Sequence, residues 1–321
     1  MKSRDRVVAF SVVVAVLSFL VWWLLVKISD AHQDLYPSEK ASSTISPEKS
    51  DTLAIIARKT ALPVPTPPVG FPTPQPPSTN MYQTYLSVPE MYIGKYVIRS
   101  WAYMNYPSAY GNAVTIDSIG MTQISKSSAK LNPLTGVDLT KDGIPEAVIE
   151  IHTGGNACCH GIAVYSLGDE LKTLLDVPTG ECVGRFADLD GNGTYEYVTC
   201  DGSYNGVFDK YSTSKCGRLG SPHPTVIFEY NSQMGRYEVA TSRFFQISQR
   251  KIDDYIHTLD DVSGEPPLCL VAGLVMEYLY AGRHEQAWMA LTEYYSAEEV
   301  GFYRQVIEDE IRARALFPPL P

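Results

Sequence analysis

The amino-acid sequence predicts an α+β protein, with a mainly antiparallel β domain over residues 81–245 and a small helical bundle over 246–321. Three observations point there. Short runs of β-branched and aromatic residues recur between Lys95 and Thr241, separated by Gly- and Asp-containing turns. Beyond about Ile252 the apolar period changes from two to 3.6. Two Asp-rich loops of one design, Asp138–Glu150 and Asp188–Cys200, interrupt the strand region fifty positions apart.

The chain opens with a basic segment, residues 1–6, carrying Lys2, Arg4 and Arg6. Residues 7–27 follow as an expected transmembrane anchor, since Val7 to Val26 contain no charge. About 20 apolar residues span a bilayer core as a helix. A basic flank stays cytoplasmic, which places the main domain outside the cell membrane as a single-pass protein. Trp22 and Trp23 fall near the outer end, where aromatic rings favour the interface. A cleaved signal peptide is the rival, but its apolar region is normally shorter, and no small-x-small cleavage site follows. Residues 28–80 are rich in Pro, Ser and Thr. The run LPVPTPPVGFPTPQPPST predicts an extended, polyproline-like stalk.

Within the β domain, KYVIRSWAY and NAVTIDSIG precede the first loop. EAVIEIHT and GIAVYSL follow it, joined by GGNACCH. ECVGRFAD and YEYVTCD flank the second loop, and TVIFEYN with GRYEVAT predicts a hairpin around Ser232–Gly235. In the bundle, Val271, Leu274, Val275, Tyr278 and Leu279 line one helix face. HEQAWMALTEYY continues as a second helix after Gly282. Ser296 and Glu299 form a capping box for a third, whose face is Val300, Tyr303, Ile307 and Ile311, with Pro318 just beyond its end. The acidic pairs Asp253–Asp254 and Asp260–Asp261 read as solvated loop or helix-start residues.

Composition narrows the function. A net charge of −10 argues against nucleic acid as a partner, because phosphate binding needs a basic patch. The 21 tyrosines suit amphipathic sheet faces. No G-x-S-x-G elbow, P-loop, Rossmann fingerprint or H-E-x-x-H appears. All six cysteines follow the anchor, and an exported chain with an even count is expected to form disulfides. If the second loop is a hairpin centred near Gly191, residues whose numbers sum to 382 face each other, which pairs Cys182 with Cys200.

The loops carry the chemistry. A hard cation such as Ca²⁺ takes six to eight oxygens. In the first loop the candidate ligands are Asp138, Thr140, Asp142, the carbonyl of Ile144, and Glu146. In the second they are Asp188, Asp190, Asn192, the carbonyl of Thr194, and Glu196. Gly143, Gly191 and Gly193 allow the positive φ such turns need. An EF-hand is excluded, because position 12 is Ile149 or Thr199 rather than Glu, and strand-like residues follow. Thr140 is a neutral ligand where the second loop has Asp190, so the second loop is expected to bind more tightly.

On these motifs the two segments resemble the FG-GAP or VCBS repeats of integrin-like β-propellers and bacterial surface proteins, over roughly residues 130–240. The resemblance implies propeller-like or partial-propeller repeats whose loops bind Ca²⁺ between two strands of a blade. YLYAGRHEQAWMAL also weakly resembles half of a tetratricopeptide repeat. The function expected is non-catalytic. It is that of a membrane-anchored, exported calcium-loop protein in cell-surface binding, adhesion or envelope interaction, with a protein or polysaccharide ligand.

HTGGNACCHG leaves alternatives open. Cys158 and Cys159 could enter disulfides, or join His152 and His160 on zinc. An exported hydrolase is the alternative function. It would use Cys159 as nucleophile, His152 or His160 as base, and Asp201 or Glu181 behind.

Overall fold

The computed structural model describes residues 84–86, 89–103, 112–154, 159–211 and 220–319. The expected anchor and stalk lie outside them. Among the described residues no helix is long and apolar enough to cross a membrane.

Among the described residues, short runs rich in β-branched and aromatic residues build three antiparallel sheets. The first contains β1 (Thr84–Leu86), β2 (Met91–Ile93), β3 (Tyr96–Tyr103), β4 (Asn112–Ser118) and β5 (Met121–Ser127). There β1 and β2 share one edge of β3, with Tyr85 opposite Ala102 and Tyr92 opposite Val97. The second sheet runs β6 (Ala129–Leu131), β7 (Glu146–His152), β8 (His160–Leu167), β9 (Leu171–Gly180). The third runs β10 (Arg185–Ala187), β11 (Glu196–Cys200), β12 (Thr225–Asn231), β13 (Arg236–Val239). No closed barrel or propeller is formed by the described residues.

The second sheet is buried on both faces, and its strand period shows how. Ala147, Ile149, Ala163, Tyr165 and Leu167 pack with Tyr96, Ile98, Val114 and Ile116 of the first sheet. The intervening Val148, Ile162 and Val164 enter a larger core with Tyr197, Val226, Phe228 and the C-terminal helices. Each such side chain, fully buried, contributes about 1.5–3 kcal/mol. On the other face of the first sheet Arg99 is buried but paired, donating to Glu90 at 2.6 Å and to Asp117. A buried charge requires such pairing.

Among the described residues four helices follow: α1 (Phe245–Asp260), α2 (Leu268–Tyr280), α3 (His284–Tyr294) and α4 (Ala297–Arg314). Eleven of the thirteen residues of α2 are buried, so it is the central helix of the bundle. The Ser296–Glu299 capping box starts α4 as expected. The sequence reading includes α1 in its helical region but misses its buried face, Ser248, Ile252 and Leu259. Asp253 and Asp254 therefore sit mid-helix, not at a helix start. It also misses β5, whose residues are largely exposed, and β9, where Pro178 and charged residues obscure the alternation.

The Ser232–Gly235 hairpin forms as predicted, with Asn231 opposite Arg236. The Cys182–Cys200 bond also forms, at a Cα separation of 5.5 Å. Its register differs from the expectation. Arg185 faces Val198 and Ala187 faces Glu196, so paired numbers sum to 383, one more than predicted. The ladder ends at Arg185, and the turn preceding it brings Cys182 rather than Val183 to Cys200.

Candidate metal centre

The two Asp-rich loops occupy equivalent places, between the first and second strands of the second and third sheets. Their internal hydrogen bonds also match. Asp138 Oδ2 accepts from the Gly143 amide at 2.8 Å, and Asp188 Oδ2 from Gly193 at 3.0 Å. Asp142 Oδ1 accepts from the Ile144 amide at 2.8 Å, and Asn192 Oδ1 from Thr194 at 2.6 Å. Glu146 Oε2 accepts from Leu139 at 2.6 Å, and Glu196 Oε2 from Leu189 at 2.7 Å. Gly143 and Gly193 both have φ +87°, a conformation that side chains oppose. Two positions earlier, Gly191 has φ +75° where the first loop has Lys141 at +61°. A non-glycine residue there costs about 1–2 kcal/mol.

Each loop gathers three carboxylates. Asp138, Asp142 and Glu146 offer oxygens within 4.8 Å of one another, as do Asp188, Asp190 and Glu196. Thr140 and Asn192 lie within the same turns. The backbones of Ile144 and Thr194 are oriented by the amide bonds just described. Of the predicted ligand residues, the structure thus brings together the three carboxylates of each loop.

The loops differ in how the buried glutamate is satisfied. Glu146 and Glu196 are both fully buried. In the first loop Thr140 Oγ1 lies 3.2 Å from Glu146 Oε1 and donates to it, so both carboxylate oxygens are satisfied. In the second loop position 3 is Asp190, which has no proton to give. Glu196 Oε1 is buried and has no hydrogen-bond donor among the described residues. A buried carboxylate oxygen left in that condition is costly unless a proton or a cation meets it. The residues of the second loop therefore fit a hard cation, with Asp188, Asp190 and Glu196 as its anionic ligands.

Burial raises both glutamates above the ordinary carboxylate range. Glu146 is pushed up to about 8; its bond from Leu139 opposes the shift, and Asp138 and Asp142 add to it. The folded state then holds a proton that the unfolded chain releases near 4.5. In chelator, stability should fall as pH rises from about 5 to 8, by at most about 1.4 kcal/mol per pH unit from this group. Glu146→Gln, which mimics the protonated acid, should flatten that part of the slope. Urea midpoints of wild type and variant measured across this range check it; parallel slopes would disprove it.

The two loops also touch. The Tyr195 amide donates to the Leu139 carbonyl at 2.9 Å, and Lys141 Nζ donates to the Asn192 carbonyl at 2.6 Å. Tyr237 Oη donates to the Tyr195 carbonyl at 3.0 Å. Arg243 Nη2 lies 2.5 Å from Asp190 Oδ2, and the same guanidinium pairs with Glu229. Sequence reasoning misses Lys141 and Arg243. Arg243 lies 53 positions from Asp190, and no local pattern links them.

The GGNACCHG segment has less to offer. Residues 155–158, including Cys158, lie outside the described residues. Cys159 is disulfide-bonded, so its sulfur supplies neither a thiolate ligand nor a nucleophile. His152 faces His160 across β7 and β8, with rings stacked at 4.1 Å. Burial, reinforced by His152, lowers the pKa of His160. Asp201, a candidate orienting group, instead accepts bonds from Tyr280, Ser203, Leu316 and Phe317. The Cys159 hydrolase expected as an alternative thus lacks its nucleophile.

No family model, curated protein or solved structure matches this chain.

Proposed function

We propose that this is a non-catalytic, membrane-anchored, exported protein whose Asp-rich loops bind Ca²⁺ and stiffen a cell-surface binding module. The observation that carries this reading is the buried Glu196 Oε1, lacking a donor and gathered with Asp188 and Asp190. Support for the repeat character comes from the matching loops in two successive four-stranded meanders. On this reading the second and third sheets are blades of a partial propeller, related to FG-GAP or VCBS repeats. The basic, apolar N-terminal segment supports export, and extracellular calcium modules bind at about 10⁻⁴–10⁻³ M. The partner is then a protein or polysaccharide met outside the cell.

Thermal unfolding of the full chain with calcium or with chelator tests the cation. At about ten times Kd, one site should add about 1.4 kcal/mol and raise Tm by about 3–5 °C. Asp188→Ala should remove most of that rise, and Asp138→Ala less of it. An identical Tm in calcium and chelator would show that both loops are ordinary turns.

A further inference from the structure

We infer that Arg243 is a built-in counter-ion that weakens cation binding at the second loop, so that the loop responds to calcium instead of holding it permanently. The inference rests on the calcium reading of that loop and concerns a residue outside the loop motif.

Asp190 is one of the three carboxylates gathered there, and Arg243 Nη2 lies 2.5 Å from its Oδ2. The guanidinium is anchored from a second side by Glu229 on β12, and it lies 5.1 Å from the Phe244 ring centre. It belongs to the short 3₁₀ turn Thr241–Phe244, whose Thr241 Oγ1 accepts from the Ile227 amide at 3.0 Å. That turn leads directly into α1. Backbone and side chain together hold the positive charge beside the loop.

Two consequences follow from the charge. Without a cation, the guanidinium offsets part of the repulsion among Asp188, Asp190 and Glu196 and keeps the loop shaped. With a cation, it is a like charge a few ångströms away, which opposes binding. Among the described residues no ion pair joins an arginine or lysine to a carboxylate of the first loop, whose Lys141 donates to a carbonyl of the second. Two positive side chains therefore flank the second loop.

Calcium titration calorimetry on the full chain tests this. Arg243→Gln removes the charge and should tighten the Asp188-dependent site by about three- to tenfold, a range suited to a partly exposed pair. Arg243→Lys keeps the charge and should stay near wild type. Unchanged or weaker binding in Arg243→Gln, with circular dichroism showing a folded protein, overturns the inference. It would mean that Arg243 positions Asp190 as a ligand. A misfolded Arg243→Gln shifts the decision to Arg243→Lys and to Arg243→Met, where affinity must follow charge. If the wild type has no Asp188-dependent calcium binding, the calcium reading and this inference fall together. If it has such binding but the charge changes leave it unaltered, only the inference falls.

Discussion

Asp201→Ala should destabilise the protein by about 3–5 kcal/mol, because several donors lose their shared acceptor at about 1–3 kcal/mol for each one left buried and unsatisfied. Asp201 is fully buried. Its Oδ2 accepts from Tyr280 Oη at 2.8 Å and from the Leu316 and Phe317 amides at 2.8 and 3.2 Å. Its Oδ1 accepts from the hydroxyl and amide of Ser203 at 2.6 and 3.1 Å. Tyr280 in turn bonds Tyr204 at 2.8 Å. One carboxylate thus ties the end of β11, helix α2 and the segment after α4 together. Alanine would leave buried donors from all three without an acceptor. Urea unfolding measures the loss, and limited proteolysis should show cutting beyond Arg314 at lower protease concentration than in wild type. A loss under about 1 kcal/mol would mean that the three elements are held by apolar packing, chiefly Phe317 against Phe228.

Replacing Cys182 and Cys200 together by alanine should cost about 3 kcal/mol, the value for closing a loop of this length. The bond spans 18 residues and encloses the whole second Asp-rich loop. Opening it frees the approach to β10, a strand of only three residues, so the loop should also order less readily around a cation. Differential unfolding with and without reductant checks the stability. Calcium titration of the double variant should show weaker binding than wild type. Equal stability with equal affinity would mean that the β11–β12 pairing alone holds the loop.

Much of the fold is legible because it is written locally. EAVIEIH is a short β-branched run bounded by turn residues and is strand; VAGLVMEYL repeats at helical spacing and is helix; Ser296 and Glu299 sit three apart and cap α4. The loops are legible for the same reason, since Asp138 and Gly143, or Asp188 and Gly193, bond within five residues. Failures arise where the local signal is diluted. β5 is an exposed strand with polar residues on both faces, and the register of β10 with β11 turns on a one-residue shift that the period of two does not reveal.

By itself, then, the sequence determined most of the strand and helix regions and the two loops with their clustered acidic residues, and it pointed to the pairing of Cys182 with Cys200. Only the tertiary structure decided that the loops touch, that Thr140 closes the first on itself, and that the second leaves Glu196 Oε1 without a donor while Arg243 holds Asp190. The reason is physical: side-chain spacing is set within a few residues of chain. By contrast, the partners of a buried carboxylate or a guanidinium are chosen by how sheets and turns stack, and no local pattern encodes a meeting of residues 53 positions apart.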